Sequence, residues 1–157
     1  MKMKKRLISI AMAAVMAVGS IPAAGALLDG FNNTRTYSDQ FTDVPSTAWY
    51  YNSVKSAYEL GITAGTSASK FSPDQNLTTD QLTVFLARIH AAYHHNEIVE
   101  VQNPSSWADK YYYYVEQYID SSYRDSIFGG MDNEQRWHFA YWISKALPDS
   151  AYTAINN

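Results

Sequence analysis

Apolar residues recur at helical spacing in four stretches of the chain, separated by polar segments that carry Gly or Pro. Tyr51, Val54, Tyr58 and Ile62 share one helical face and predict a helix from about Ala48 to Leu60, with Gly61 as its stop. A loop is expected from Thr63 to Asn76, turning at Pro73-Asp74. A second helix starts at Thr78. Thr78 and Gln81, three residues apart, form a capping-box pattern that satisfies the orphan amides of a helix start. Its apolar stripe is Leu82, Phe85, Leu86, Ile89 and Tyr93.

Asn96 to Ser106, around Pro104, reads as a linker. Tyr111, Val115, Tyr118 and Ile119 predict a third helix. The run Tyr111 to Tyr114 must divide between inside and outside, because four consecutive residues cannot share one helix face. Gly129-Gly130 breaks the pattern, and Asp132 with Gln135 is a second capping pair. Phe139, Trp142, Ile143, Ala146 and Leu147 form the last stripe, ended by Pro148. The chain should be mostly helix, with at most short extended pieces.

The two helix pairs repeat each other. Thr79 and Arg136 are 57 residues apart, as are Leu82 and Phe139, Phe85 and Trp142, and Arg88 and Lys145; Trp49 and Trp107 are 58 apart. Such self-similarity marks units that each bury an apolar face only by stacking on another.

The N-terminus reads as a processing segment. Lys2, Lys4, Lys5 and Arg6 precede a short apolar run, Leu7 to Val18, and Ala24-Gly25-Ala26 fits the small-residue cleavage rule. The apolar run is short for a membrane span. We therefore expect a signal peptide over 1–26 and a mature chain of 131 residues starting near Leu27, enough for one domain with a core. Residues 27–40 are polar and aperiodic, an extended or mobile lead-in.

Charge sharpens this. The whole chain has 12 basic and 15 acidic residues; a leader with four basic and no acidic residues leaves 8 against 15, a net charge of −7. Such a chain lacks the basic face that grips nucleic acid or anionic lipid, so an anionic ligand must be met by one or two placed cations. The absence of cysteine removes disulfides, thiol catalysis and Cys-based zinc sites, leaving the apolar core to hold the fold. Aromatics are 15% of the chain and mostly Tyr, which suits half-buried helix faces and sugar-stacking surfaces alike.

Phe41-Thr42-Asp43-Val44, Trp49, Gly61-Ile62-Thr63-Ala64-Gly65 and Phe71-Ser72-Pro73-Asp74 together resemble the opening of the S-layer homology (SLH) repeat. The family's closing Thr-Arg-Ala-Glu-Phe-Ala motif aligns with Thr78-Thr79-Asp80-Gln81-Leu82-Thr83 in one copy and Gln135-Arg136-Trp137-His138-Phe139-Ala140 in a second, degenerate copy. The resemblance implies a mainly α fold of tandem SLH-type helix-loop-helix repeats packed on a shared core, with repeat one over 41–95, a linker over 96–106 and repeat two over 107–157. The family commonly has three copies with ligand grooves between them. Two are visible here, so either a second copy of the chain or another SLH repeat completes the bundle, or the protein is a minimal or truncated version of it.

The resemblance places Arg136 at the motif Arg, which in the family helps bind an anionic, often pyruvylated, secondary cell-wall polysaccharide. A guanidinium fork grips a carboxylate bidentately, and helix-start amides add positive potential beside it. The bland alternative is a solvated surface Arg. His138 stands where the family has Glu, and Thr79 and Gln81 replace Arg and Glu in copy one, which weakens that copy for an anionic ligand. Trp49 and Trp107 match the family's Trp. Each can stack on a sugar, but a buried anchor is the first reading. Trp137 lies off the apolar stripe, beside Arg136, and is the better stacking residue.

His90 and His94 lie four apart on a helix, a metal-compatible spacing, but no HExxH Glu and no third ligand accompany them, so a solvated helix end is expected and no metal. No Ser-His-Asp elbow, phosphate loop or paired catalytic carboxylates can be argued, and no cofactor is implied.

The expectation is a secreted, non-catalytic protein at the cell wall or surface of a bacterium, binding an anionic secondary cell-wall polysaccharide through Arg136, Trp137, His138, Trp107 and Trp49. No nucleic acid partner, and no membrane partner after cleavage, is expected. The alternative is an extracellular structural or protein-interaction module of the same fold that has lost carbohydrate binding.

Overall fold

The computed structural model describes residues 31–127, 136–149 and 151. The expected signal peptide, the Gly129-Gly130 break and the Asp132–Gln135 pair lie outside the described residues. The protein is mainly helical. In chain order the helices are α1 (Tyr51–Glu59), α2 (Thr79–His94), α3 (Asp109–Tyr118), α4 (Tyr123–Ile127) and α5 (Arg136–Ala146). The one extended pairing among the described residues is the isolated bridge Ser67–Lys70. The short α4 was not legible in the apolar pattern. The chain divides into two compact units, Met1–Asn76 with Pro148–Asn157, and Leu77–Leu147. The division falls inside the first repeat, between its two helices.

The first unit is built on α1 and the loops around it. Tyr37, Phe41, Val44 and Val54 are buried together, with Tyr50, Tyr51, Tyr58 and Phe71 packed against them. Phe41 and Tyr58 meet edge to face with centroids 5.6 Å apart, and Tyr37 lies 5.7 Å from Tyr58. Tyr37 belongs to the segment read as an extended or mobile lead-in. The backbone there is tied to α1, with Thr34 N–H donating to the Glu59 carbonyl at 2.8 Å and the Tyr51 hydroxyl donating to Asp39. The polar residues around Tyr37 hid one core aromatic from the periodicity.

Gly61 ends α1 as predicted. Its φ of 76° lets the chain close with Gly61 N–H on the Tyr58 carbonyl and Ile62 N–H on the Ala57 carbonyl, a Schellman pattern that satisfies the last turn. Asp43, in the Phe-x-Asp-Val motif, then holds the loop beyond. One carboxylate oxygen accepts from Phe71 N–H at 3.0 Å and the other from Ser72 N–H at 2.8 Å. Burial opposes its charge, but these amides and the Lys70 charge outweigh burial and lower its pKa. Phe-x-Asp-Val and Phe-x-Pro-Asp, separate along the chain, thus form one carboxylate-to-backbone clamp. The 58-residue register puts Val101 where Asp43 stands.

In the second unit α2 packs against α3 and α5, and α3 against α4. The capping box forms as predicted: Thr78 Oγ1 accepts from Gln81 N–H at 3.2 Å and Gln81 Oε1 accepts from Thr78 N–H at 3.0 Å. Leu82, Leu86 and Ile89 of α2, Val115 of α3, and Phe139, Trp142 and Ile143 of α5 are buried, while Phe85 and Tyr93 are half-buried. The tyrosine run divides three to one: Tyr111, Tyr112 and Tyr114 are buried and Tyr113 faces out. Tyr118, expected on the apolar stripe, is exposed at the helix end.

Two buried tyrosine hydroxyls of this unit are answered by side chains of α2. Tyr112 donates to Asp80 at 2.8 Å, and Tyr123 pairs with Thr83 at 2.9 Å. The Tyr123 ring meets Trp142 edge to face, centroids 4.5 Å apart. No helix among the described residues is long and apolar enough to cross a membrane.

Candidate carbohydrate-binding surface

Three of the four tryptophans lie on the surface. Trp49 is 61%, Trp107 63% and Trp137 65% exposed, against 2% for Trp142. The reading of Trp49 and Trp107 as core anchors is therefore corrected. In the first unit, Tyr37, Phe41, Val44 and Val54 already fill the core, and Trp49 sits in the turn before α1, edge-on to Tyr50 at 5.4 Å. In the second, Ala108, fully buried, takes the inward position at the head of α3 and leaves its neighbour Trp107 outside.

Arg136, Trp137 and His138 occupy the first turn of α5. Trp137 points to solvent, with the His138 ring 5.2 Å from its own. His138 Nε2 accepts from the indole Nε1–H of Trp142 at 2.8 Å. The 57-residue register places His138 where Gln81 stands in the first copy, and here the ring is joined to the core Trp142. Trp107 belongs to a different cluster, its ring 6.5 Å from Tyr111. The Arg88 guanidinium lies 5.3 Å from the Tyr111 ring and donates to its hydroxyl at 3.0 Å, and Lys110 lies 5.4 Å from the same ring. Trp49 stands in the other compact unit. The structure thus brings three of the five expected residues into one helical turn.

Sequence reasoning missed Tyr141. It is 49% exposed, four residues after Trp137. The missed signal was the i, i+4 spacing of two aromatics off the apolar stripe.

The His90–His94 pair stacks at the C-terminal end of α2 with centroids 4.2 Å apart. Among the described residues no group of three or more His, Cys, Asp or Glu comes together. His90 Nδ1 lies 3.0 Å from the Tyr114 hydroxyl, which also accepts from the Asn96 amide at 3.2 Å. Burial, then the neighbouring His94 charge, push the His90 pKa down from 6.5 to about 4. The unfolded chain therefore binds this proton more readily than the folded one. The stability due to a neutral His90 is fully present above pH 6.5 and is lost as pH falls toward about 4. Allowing for partial exposure, the loss should be on the order of 1–2 kcal/mol. Melting curves between those pH values should show it, and His90→Gln should flatten the dependence. An equally steep dependence in the variant would contradict the assignment.

Comparison with known proteins decides the family of the first repeat. Residues 40–81 match the S-layer homology domain. The chain carries an SLH domain there. The match runs from the Asp43 clamp through the capping box of α2, the segment whose Phe-x-Asp-Val, Gly-Ile-x-x-Gly and Phe-x-Pro-Asp motifs the structure ties together.

The chain is 37% identical over 68 residues to an endoglucanase of Bacillus sp. (strain KSM-635), covering 43% of this chain and 7% of that protein. It is 31% identical over 74 residues to the surface-layer 125 kDa protein of Lysinibacillus sphaericus, 45% of this chain and 6% of that one. It is 34% identical over 55 residues to an amylopullulanase of Thermoanaerobacterium thermosulfurigenes, 35% of this chain and 3% of that one. The matched segment is thus under a tenth of each of these proteins. No solved structure matches the chain significantly. SLH domains are cell-wall and surface-layer anchoring modules, and the domain implies association with the bacterial cell surface.

Proposed function

We propose that this is a secreted, non-catalytic protein that associates with the cell wall by binding an anionic secondary cell-wall polysaccharide, pyruvylated or otherwise acidic. The observation that carries the reading is the first turn of α5, where solvent-facing Trp137 directly follows Arg136 at the helix start. An aromatic ring offers a stacking face for a pyranose, and a cation at a helix N-terminus favours a carboxylate. The second copy carries the cation; Thr79 at the same position of the first copy carries none. A non-catalytic role is supported by what the acidic side chains do. Asp43 and Asp109 hold loop amides and Asp120 holds Lys145, which are structural duties.

Arg136→Ala should weaken binding to purified walls by roughly ten- to a hundredfold, the scale of about 1.5–3 kcal/mol for a charge-assisted contact. Raised salt should weaken the parent too. Cosedimentation before and after chemical removal of the secondary polymer is the test. Equal pelleting of Arg136→Ala and parent, or pelleting indifferent to the polymer, would eliminate this reading and leave the protein-interaction module.

A further inference from the structure

We propose that the solvent face of α5 is a two-ring stacking track on which Tyr141 seats the sugar unit next to the one on Trp137. The proposal rests on the wall-polysaccharide reading above and extends it along the helix.

Trp137 and Tyr141 are one turn apart on the same helix face, about 6 Å along the axis at about 1.5 Å per residue. They are 65% and 49% exposed. Ala140 and Ser144, both exposed, lie beside them on that face. The Tyr141 ring is held from below by the buried Trp142, edge-on with centroids 5.1 Å apart. One turn further, the Lys145 ammonium lies 5.0 Å from the Tyr141 ring centroid and is oriented by Asp120 at 2.7 Å. Along the helix the face therefore reads aromatic, aromatic, cation.

Charge selects the occupant. α5 contains Arg136 and Lys145 and no Asp or Glu, in a chain whose net charge is −3. Lys145 is already ion-paired with Asp120, so the charge offered to an acidic polymer is that of Arg136 at the helix head, beside the two exposed rings. Stacking uses the C–H face of the sugar against the ring and needs no hydroxyl from Tyr141. A linear polymer laid along the helix axis would meet Trp137 first and Tyr141 next, with Lys145 beside the second unit.

The test is cosedimentation with purified walls across a range of wall concentration, comparing parent, Trp137→Ala, Tyr141→Ala and Tyr141→Phe, each with its melting curve. Tyr141→Ala should bind roughly three- to tenfold more weakly, the scale of one aromatic contact. Tyr141→Phe should bind like the parent, and both Tyr141 variants should melt like it. Weak binding by Trp137→Ala with parental binding by Tyr141→Ala would overturn the track and leave the wall-polysaccharide reading standing. Parental binding by Trp137→Ala and Tyr141→Ala alike would overturn both. Loss of binding in Tyr141→Phe equal to that in Tyr141→Ala would assign the effect to the hydroxyl and overturn stacking.

Discussion

Trp142→Ala is expected to lose about 3–5 kcal/mol of stability, the usual cost of truncating a buried Trp or Phe. Trp142 is 2% exposed and is among the largest fully buried side chains of the described residues. It carries the edge-to-face contact with Tyr123 at 4.5 Å and donates its indole N–H to His138 at 2.8 Å. Removing it leaves a void between α5 and the elements around it. That loss is a large part of the stability of a domain this size. Thermal and denaturant melts of the variant should shift far below those of the parent. An unmoved curve would mean that the packing of α5 is wrongly assigned.

Gly65→Ala should be the most damaging small substitution in the first unit, at roughly 2–4 kcal/mol from backbone strain and overpacking together. Gly65 has φ +79°, and an added Cβ would stand 2.5 Å from the Lys70 carbonyl oxygen and 2.5 Å from Phe41 Cε1. Neither neighbour can withdraw. The Lys70 carbonyl accepts from Thr66 N–H at 2.8 Å, and Phe41 is a core ring. Gly61→Ala is the informative comparison. Its φ is +76°, but the nearest atom is Thr34 Oγ1 at 2.9 Å, on an exposed side chain that can turn away. It should lose about 1–2 kcal/mol, from strain alone. Denaturant midpoints of the two variants would order them, and equal midpoints would show that the close approach at Gly65 relaxes easily.

The two glycines also separate the kinds of information the chain carries. Gly61 was readable as a helix stop because stopping a helix is a local matter. Gly65 was readable only as part of a motif, and the reason for it lies in a ring 24 positions earlier and a carbonyl five positions later. The capping box at Thr78 and Gln81 is local in the same way as Gly61, and it formed as the spacing required. The helices followed the apolar period wherever the period was long. The four-Tyr run could be said to split, but not which Tyr would face out.

Local sequence therefore determined the mainly helical class, the stop of α1, the start of α2 and the SLH motifs of the first copy, because each depends on contacts within a few residues or on spacing alone. Tertiary structure decided the rest. Tyr37 entered a core that its polar neighbours concealed, since burial depends on which surface a segment meets. Trp49 and Trp107 stayed outside because smaller or earlier residues had already filled the interior beside them. Tyr141 became a surface ring in line with Trp137 only once Phe139, Trp142 and Ile143 had turned the other face of α5 inward. Hydrophobicity says that a side chain is better buried than exposed; only packing decides which side chains are left over, and on α5 the leftover rings, Trp137 and Tyr141, form the candidate binding surface.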